Sequence, residues 1–242
     1  MLNTMIPRHY MPMVPTAFFL QVKGMGRPRG FEMLPDFFNL AEQRILLAAA
    51  LQKLNSSESR HVRKRQKAFE KQRKPLGEAS SIQDMFLPDD HYTFEQGHYD
   101  NVIHGYREMH VSSWPVEENL GLSLIFDRLQ EIYPSQDTQT HLLHLSSTGK
   151  ILPHVDNVEA SGSWILGISL GAERIMHMES TEDPQDTFDT LLPSGSVYIQ
   201  RDAVRFGYKH SILFKGEFRG LNVGGGQRLS MMVRDRKPPI AL

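Results

Sequence analysis

In the segment KILPHVDNV, His154 and Asp156 stand one residue apart, an imidazole and a carboxylate that can share one metal ion or merely decorate a solvated turn. Spacing alone does not choose, because His98-Tyr99-Asp100 repeats it and His177-Met178-Glu179 comes close. A non-heme iron site needs a second His from elsewhere, giving a two-His, one-carboxylate face with positions left open for substrate and oxygen. His210, opening the apolar run of RFGYKHSILF, is the candidate. On a strand, residues i and i+2 point the same way, so His154 and Asp156 both aim inward if the strand carries through them. Cysteine is absent, which excludes disulfides, thiolate zinc sites, iron–sulfur clusters and cysteine nucleophiles, and leaves His and carboxylates as the strong ligands.

A second pattern lies in RLSMMVRD, where strict alternation puts Arg228, Ser230, Met232 and Arg234 on one face. Two arginines are unusual on a buried strand face. They suggest a carboxylate partner, which a guanidinium fork holds through two parallel bonds.

The elements that must position these residues follow from periodicity. Asn39, with Glu42 three residues on, reads as a capping box opening a helix through Leu54. Leu122, Ile125, Phe126, Leu129 and Ile132 mark a second helical face, ended by Pro134. After Gln139 the texture changes to eight short apolar or alternating runs: 140–146, 151–154, 163–169, 174–179, 187–191, 196–200, 209–214 and 228–234. Strands behind supporting helices predict an α+β, mainly β chain, a double-stranded β-helix or jelly roll that encloses a small site; a Greek-key sandwich gives a similar pattern. In that layout His98 is a poor ligand, since a roll beginning there would have to contain the helix after Val116. His141, His144 and His177 fit ordinary hydrogen-bonded histidines.

The 242 residues suit one large domain, and a net charge of −1 gives the whole chain no bias toward a polyanion. Charge is instead local. Ser59 to Lys74 holds eight Lys or Arg against one Glu, a solvated helix extension or loop, or else a phosphate contact. Met1 to Phe31 lacks acidic residues and carries Arg8, Lys23, Arg27 and Arg29, so residues 1–30 read as a mitochondrial targeting segment, or as a disordered basic tail on a cytoplasmic protein. No apolar run is long enough to span a bilayer. The NVGGGQ stretch (Asn222 to Gln227) lacks the ending of a phosphate loop and reads as a flexible hairpin, while HExxH and Gly-x-Ser-x-Gly are both missing.

The order His154-x-Asp156, His210, then Arg228-x-Ser230-x-x-x-Arg234 resembles the AlkB family of Fe(II)- and 2-oxoglutarate-dependent dioxygenases. IHGYRE (Ile103 to Glu108), SGSVYIQRDAVRFGYKHSI (Ser194 to Ile212) and RLSMMVR look most like its mitochondrial branch. The resemblance spans about Gly30 to Pro238, so residues 31–242 are expected to form the dioxygenase domain, with a basic insertion at about 56–82. It implies that His154, Asp156 and His210 hold Fe(II), that Arg228 clamps the distal carboxylate of 2-oxoglutarate, and that Tyr198, Ser230 and Arg234 complete the cosubstrate cradle. O2 is the co-reactant, and succinate and CO2 are the products. The family pattern has polar residues where this chain has Leu143, Leu145 and Met232.

For the primary substrate, three readings stand. A protein side chain, or the chain itself, fits the reduced lid that the resemblance implies. An RNA demethylase would use the basic run Arg60 to Lys74 on phosphates. A jelly-roll interaction module with a vestigial or structural metal site is the third, disfavoured by the intact triad and paired arginines. Tyr92, Phe94, Tyr99, Tyr106 and Trp114 are expected to be packing residues more often than base-stacking plates. The resemblance also implies a mitochondrial matrix setting and, in animals, a link to necrotic cell death and fatty-acid metabolism.

Overall fold

Asn39 caps the first helix as its sequence demands: Glu42 N donates to Asn39 Oδ1 at 3.0 Å and Asn39 N donates to Glu42 Oε2 at 2.9 Å. This helix, α1 (Leu40–Ser56), turns Leu46, Leu47, Ala50 and Leu54 onto the sheet. The computed structural model describes residues 28–236 apart from 76, 78, 79, 116–119 and 160, so most of the expected targeting segment lies outside the described residues. The basic run is not an extension of α1 but a separate helix, α2 (Arg60–Gln72), because Ser59 caps it and only Val62 and Gln66 are buried along it. Helix α3 (Leu120–Gln130) buries Leu122, Ile125 and Leu129 beside α1, on the face that the periodicity marks.

The strands are β1 (Phe31–Leu34), β2 (Ile103–Val111), β3 (Thr138–His154), β4 (Trp164–Gly171), β5 (Arg174–Ser180), β6 (Thr187–Leu192), β7 (Val197–Arg201), β8 (Tyr208–Ile212), β9 (Lys215–Phe218), β10 (Leu221–Gly224) and β11 (Arg228–Asp235). Between β7 and β8 lies the short helix α4 (Asp202–Gly207). The large sheet runs β1-β7-β4-β11-β3-β8-β5-β6, with β2 also on β3, and every pairing is antiparallel. Strand β3 makes the roll. Its residues 138–145 pair with β11, while Ile151 and His154 pair with β8, so one continuous strand passes from one wall to the other.

Alternation divides the core. Leu142, Leu166, Ile168, Ile199, Leu229 and Met231 face the helices, whereas Leu143, Leu145, Met176, Met178 and Tyr198 face the interior of the roll. This is the expected jelly roll, with three local corrections. The two runs 140–146 and 151–154 belong to one strand, which bulges between Leu145 and Lys150, where Gly149 folds back against Leu145 and Ser146, and then resumes its pairing instead of ending there. Strands β1 and β2 escaped the reading. β2 places Glu108 and His110 on the interior face, so it lacks the apolar alternation that marks a half-buried strand. The β9–β10 hairpin closes at Arg219–Gly220, both at positive φ, and the glycine run follows the turn instead of forming it.

On the helix-facing side a buried polar chain ties the sheet to α1. Arg107 Nε donates to His144 Nδ1 at 2.9 Å, so the other imidazole nitrogen carries the proton and donates to Gln227 Oε1 at 2.9 Å. Arg107 also reaches Asn55 Oδ1 and the buried Glu58 carboxylate. Burial, and then the Arg107 charge, push His144 well below the ordinary imidazole value. Its unfolded-state value is about 6.5, so the folded protein refuses a proton that the unfolded chain accepts, and stability falls as pH drops below that value. Wild-type protein is expected to lose up to about 1.4 kcal/mol per pH unit from this residue between pH 6.5 and 5. His144→Gln, less stable throughout, should show a flatter pH slope in urea unfolding; parallel slopes would refute the assignment.

Candidate active site

His154 closes β3 and His210 sits opposite it on β8 in direct register. Their ring centroids are 4.3 Å apart. Asp156 lies beyond the end of β3, so the strand does not carry through the pair, and its placement needs another cause. That cause is Arg205 on α4, 2% exposed, whose guanidinium donates to Asp156 O at 3.1 Å, Asn157 O at 3.3 Å and Ser161 Oγ at 2.8 Å. Sequence reasoning missed Arg205. The only signal was a cation inside the apolar-flanked AVRFGY run, five residues before His210.

His154, Asp156 and His210 bring one ligand atom each within 4.8 Å of one another, and among the described residues they are the only such group. The donor set suits a cation. His154 Nδ1 lies 3.0 Å from Leu152 O and donates to it, which turns Nε2 toward Asp156 Oδ1 at 3.3 Å. A neutral imidazole thus aims a lone pair at a carboxylate, an arrangement relieved by a proton or by a metal ion between them. Burial alone would lower His154, but the Asp156 carboxylate outweighs it and raises the imidazole. His210 is pushed down to about 4 by burial and stays neutral. Burial would also raise Asp156, yet the histidines and Arg234 hold it far below the usual carboxylate range.

His98 takes no part. It pairs with Asp100 at 2.8 Å and approaches Glu108 at 3.9 Å. The reason expected for its exclusion was wrong, since β2 joins the sheet although α3 follows it in the chain. His177 pairs with Asp189 at 2.6 Å on the β5–β6 ladder.

Beyond the triad the interior is polar along β11. Arg228, 1% exposed, donates from Nε to Ser169 Oγ at 3.0 Å, and its Nη2 has no hydrogen-bond partner. An orphaned guanidinium nitrogen in a dry interior calls for an anion. Tyr198 lies nearby across Gly167, raised by burial and lowered in part by the Arg228 charge. Ser230 spends its hydroxyl on Leu143 O at 3.4 Å. Arg234, six residues along the same strand face, stands instead at the triad, with Nη2 3.7 Å from Asp156 Oδ1. The two arginines therefore serve opposite ends of the interior, roughly 20 Å apart along the strand before their side chains reach inward.

Gly167 makes room for Tyr198, whose ring occupies the space that any Cβ at 167 would fill. Gly167→Ala is expected to cost about 1–3 kcal/mol through overpacking. Adding Tyr198→Leu should recover most of it, a coupling that a double-mutant cycle in urea reads directly.

A family model described as 2OG-Fe(II) oxygenase superfamily matches residues 30–234. The chain is 36% identical over 148 residues to the mitochondrial alpha-ketoglutarate-dependent dioxygenase alkB homolog 7 of Mus musculus, and 34% identical over 148 residues to that of Bos taurus. Each match covers 58% of this chain and 65% of the relative, so the chain spans about two thirds of the length of the curated relatives it matches. The solved structure of OsALKBH1 shares the fold, with a TM-score of 0.52 at 15% identity, covering 88% of this chain and 100% of that one.

Proposed function

The chain belongs to the 2OG-Fe(II) oxygenase superfamily, and on that premise we propose that it is an Fe(II)- and 2-oxoglutarate-dependent dioxygenase that oxidises a protein side chain, its own included. One observation carries the reading: ligand atoms of His154, Asp156 and His210 converge within 4.8 Å, in a roll that also buries the unpaired Nη2 of Arg228. His154, Asp156 and His210 hold the metal. Arg228, with Ser169 fixing its fork and Tyr198 beside it, takes the distal carboxylate of 2-oxoglutarate, while Ser230 and Arg234 line the rest of the cradle. The chemistry supplied once Fe(II), 2-oxoglutarate and O2 are bound is decarboxylation to succinate and CO2, coupled to insertion of one oxygen atom into a substrate C–H bond. The protein's part is positional. Arg205 fixes the Asp156 backbone, the Leu152 carbonyl fixes the His154 tautomer, and the apolar wall of Leu143, Leu145, Met176 and Met178 excludes water.

The aromatic residues before α3 favour a protein over a flipped base. Tyr92 and Tyr106 are buried, Phe94 packs on Tyr92 and His144, and Trp114 packs on Phe126. Tyr99 alone of the five is open, at 90% exposure, so this segment presents no pair of plates to sandwich a base. We place the enzyme in the mitochondrial matrix, where the resemblance also implies roles in necrotic death and fatty-acid metabolism, with residues 31–242 as the catalytic domain and 56–82 as an insertion. The test is succinate formation from 2-oxoglutarate by anaerobically Fe(II)-loaded protein exposed to O2, with mass spectrometry for added oxygen on the chain and on mitochondrial proteins. Succinate with a protein gaining 16 Da, on the order of one oxygen atom, supports the proposal; failure to bind both iron and 2-oxoglutarate defeats it.

A second reading rests on α2, which exposes Arg60, Lys64, Lys67 and Lys71 along one stripe, none within ion-pair distance of a described acid. In an RNA demethylase this stripe would bind phosphates. Replacing the four by Gln should then flatten the salt dependence of RNA affinity by about three to four counterions. An unchanged slope would remove the stripe from RNA recognition.

A further inference from the structure

We infer that Gln200 is a cosubstrate-binding residue whose side-chain N–H donates, together with Nε of Arg234, to the carboxylate of 2-oxoglutarate on the metal side of the site. The inference rests on the dioxygenase reading and extends it to a residue outside the triad and the β11 motif.

Alternation on β7 turns Gln200 to the same interior face as Tyr198. Its register partners are Phe31 on β1 and Ile165 on β4, and Ile165 is in turn the partner of Arg234 on β11. Gln200 and Arg234 therefore flank one apolar residue in a single row across three strands. Their Cα atoms are separated by two inter-strand spacings, roughly 10 Å, which the two side chains can close. Gln200 is 2% exposed, and its Nε2 has no hydrogen-bond partner among the described residues. The same holds for Arg234 Nε.

An amide between Phe31 and Ile165 is out of place for packing alone, since an aliphatic side chain would fill the position without stranding a donor. Two buried donors in one row, one of them cationic, call for an oxygen acceptor carrying negative charge. Asp156 is not that acceptor for Gln200, because its carboxylate already faces His154, His210 and Arg234. Arg228 stands at the other end of the interior, so the distal carboxylate is taken there. What remains for the Gln200–Arg234 row is the carboxylate next to the keto group, which must lie beside the triad if both ends of the cosubstrate are held.

The test titrates 2-oxoglutarate into anaerobic Fe(II)-loaded full chain and follows the charge-transfer absorption that a chelating 2-oxo acid produces, for wild type, Gln200→Leu and Gln200→Met. A second reading of each protein is the melting temperature without metal or cosubstrate. Loss of one hydrogen bond to a carboxylate predicts a Kd raised about 10-fold or more in both variants. The melting temperature of the unliganded protein should hold or rise, because the group removed had no partner; a purely structural Gln200 would give the reverse pattern. Wild-type affinity in both variants overturns the assignment of Gln200 and leaves the dioxygenase reading standing. Absence of any 2-oxoglutarate signal from wild type overturns the dioxygenase reading itself, and this inference with it.

Discussion

Asp156→Ala is expected to abolish succinate formation and to weaken Fe(II) binding by more than about 100-fold, beyond the loss typical of outer partners of a metal site. In the proposed site the carboxylate would be the one anionic ligand in a group whose other two members would bind as neutral imidazoles, so its removal would take away both a bond and the charge that offsets the cation. Asp156→Asn keeps the shape and one oxygen but loses the charge. It should fall between, with measurable iron affinity and little turnover. Arg205→Ala offers a separate check on position. It leaves every ligand in place but frees the Asp156 and Asn157 carbonyls, and the orientation of the carboxylate with them. Iron affinity should drop about 10- to 100-fold, the range for an outer partner. Calorimetric titration with Fe(II) under anaerobic conditions measures all three. Wild-type affinity in Asp156→Ala would remove Asp156 from the ligand set and with it the two-His, one-carboxylate reading.

How far the site was legible follows from how each residue is held. His154, His210 and the β11 arginines lie on strands, where residue type and alternation are local, so the interior face they share could be anticipated from RLSMMVRD and KHSILF, although the separation of the two arginines to opposite ends could not. Asp156 meets the histidines by a route other than the expected one: it reaches them from beyond the strand end, held by a guanidinium from α4 that no local pattern connects to it. Gly167 and Ser169 belong to the same class. Each matters through a partner on another strand, Tyr198 or Arg228, and neither carries a signal in its own segment. The missing strand β2 shows the converse. Its interior face bears Glu108 and His110, which meet His141 on β3, so the polar contacts that hid it as a strand are made across the very ladder it forms. Breaks from apolar patterning inside this fold thus mark either the interior face, as at Arg228 and Arg234, or the buried polar chain that ties the sheet to α1, as at Arg107 and His144.

Arg228→Met should separate binding from stability more sharply than any other single change. The guanidinium is 1% exposed, burial pushes it below its ordinary value, and one of its terminal nitrogens has no partner. A desolvated cation without a counter-charge burdens the unliganded fold, and methionine fills similar volume without that burden. The unliganded melting temperature is therefore expected to rise, by about 2–4 °C for each kcal/mol relieved. Affinity for 2-oxoglutarate should fall by about 100- to 1,000-fold, the loss of two charge-assisted bonds from a fork. Arg228→Lys keeps the charge but not the fork and should recover only part of the affinity. The control is 2-oxobutyrate, which keeps the chelating 2-oxo acid and lacks the distal carboxylate. It should bind wild type weakly and Arg228→Met no more weakly, because the interaction removed by the mutation is one it never makes. If Arg228→Met weakened 2-oxobutyrate as much as 2-oxoglutarate, Arg228 would be acting on the metal end of the site, and the assignment of the two arginines to opposite ends would fail.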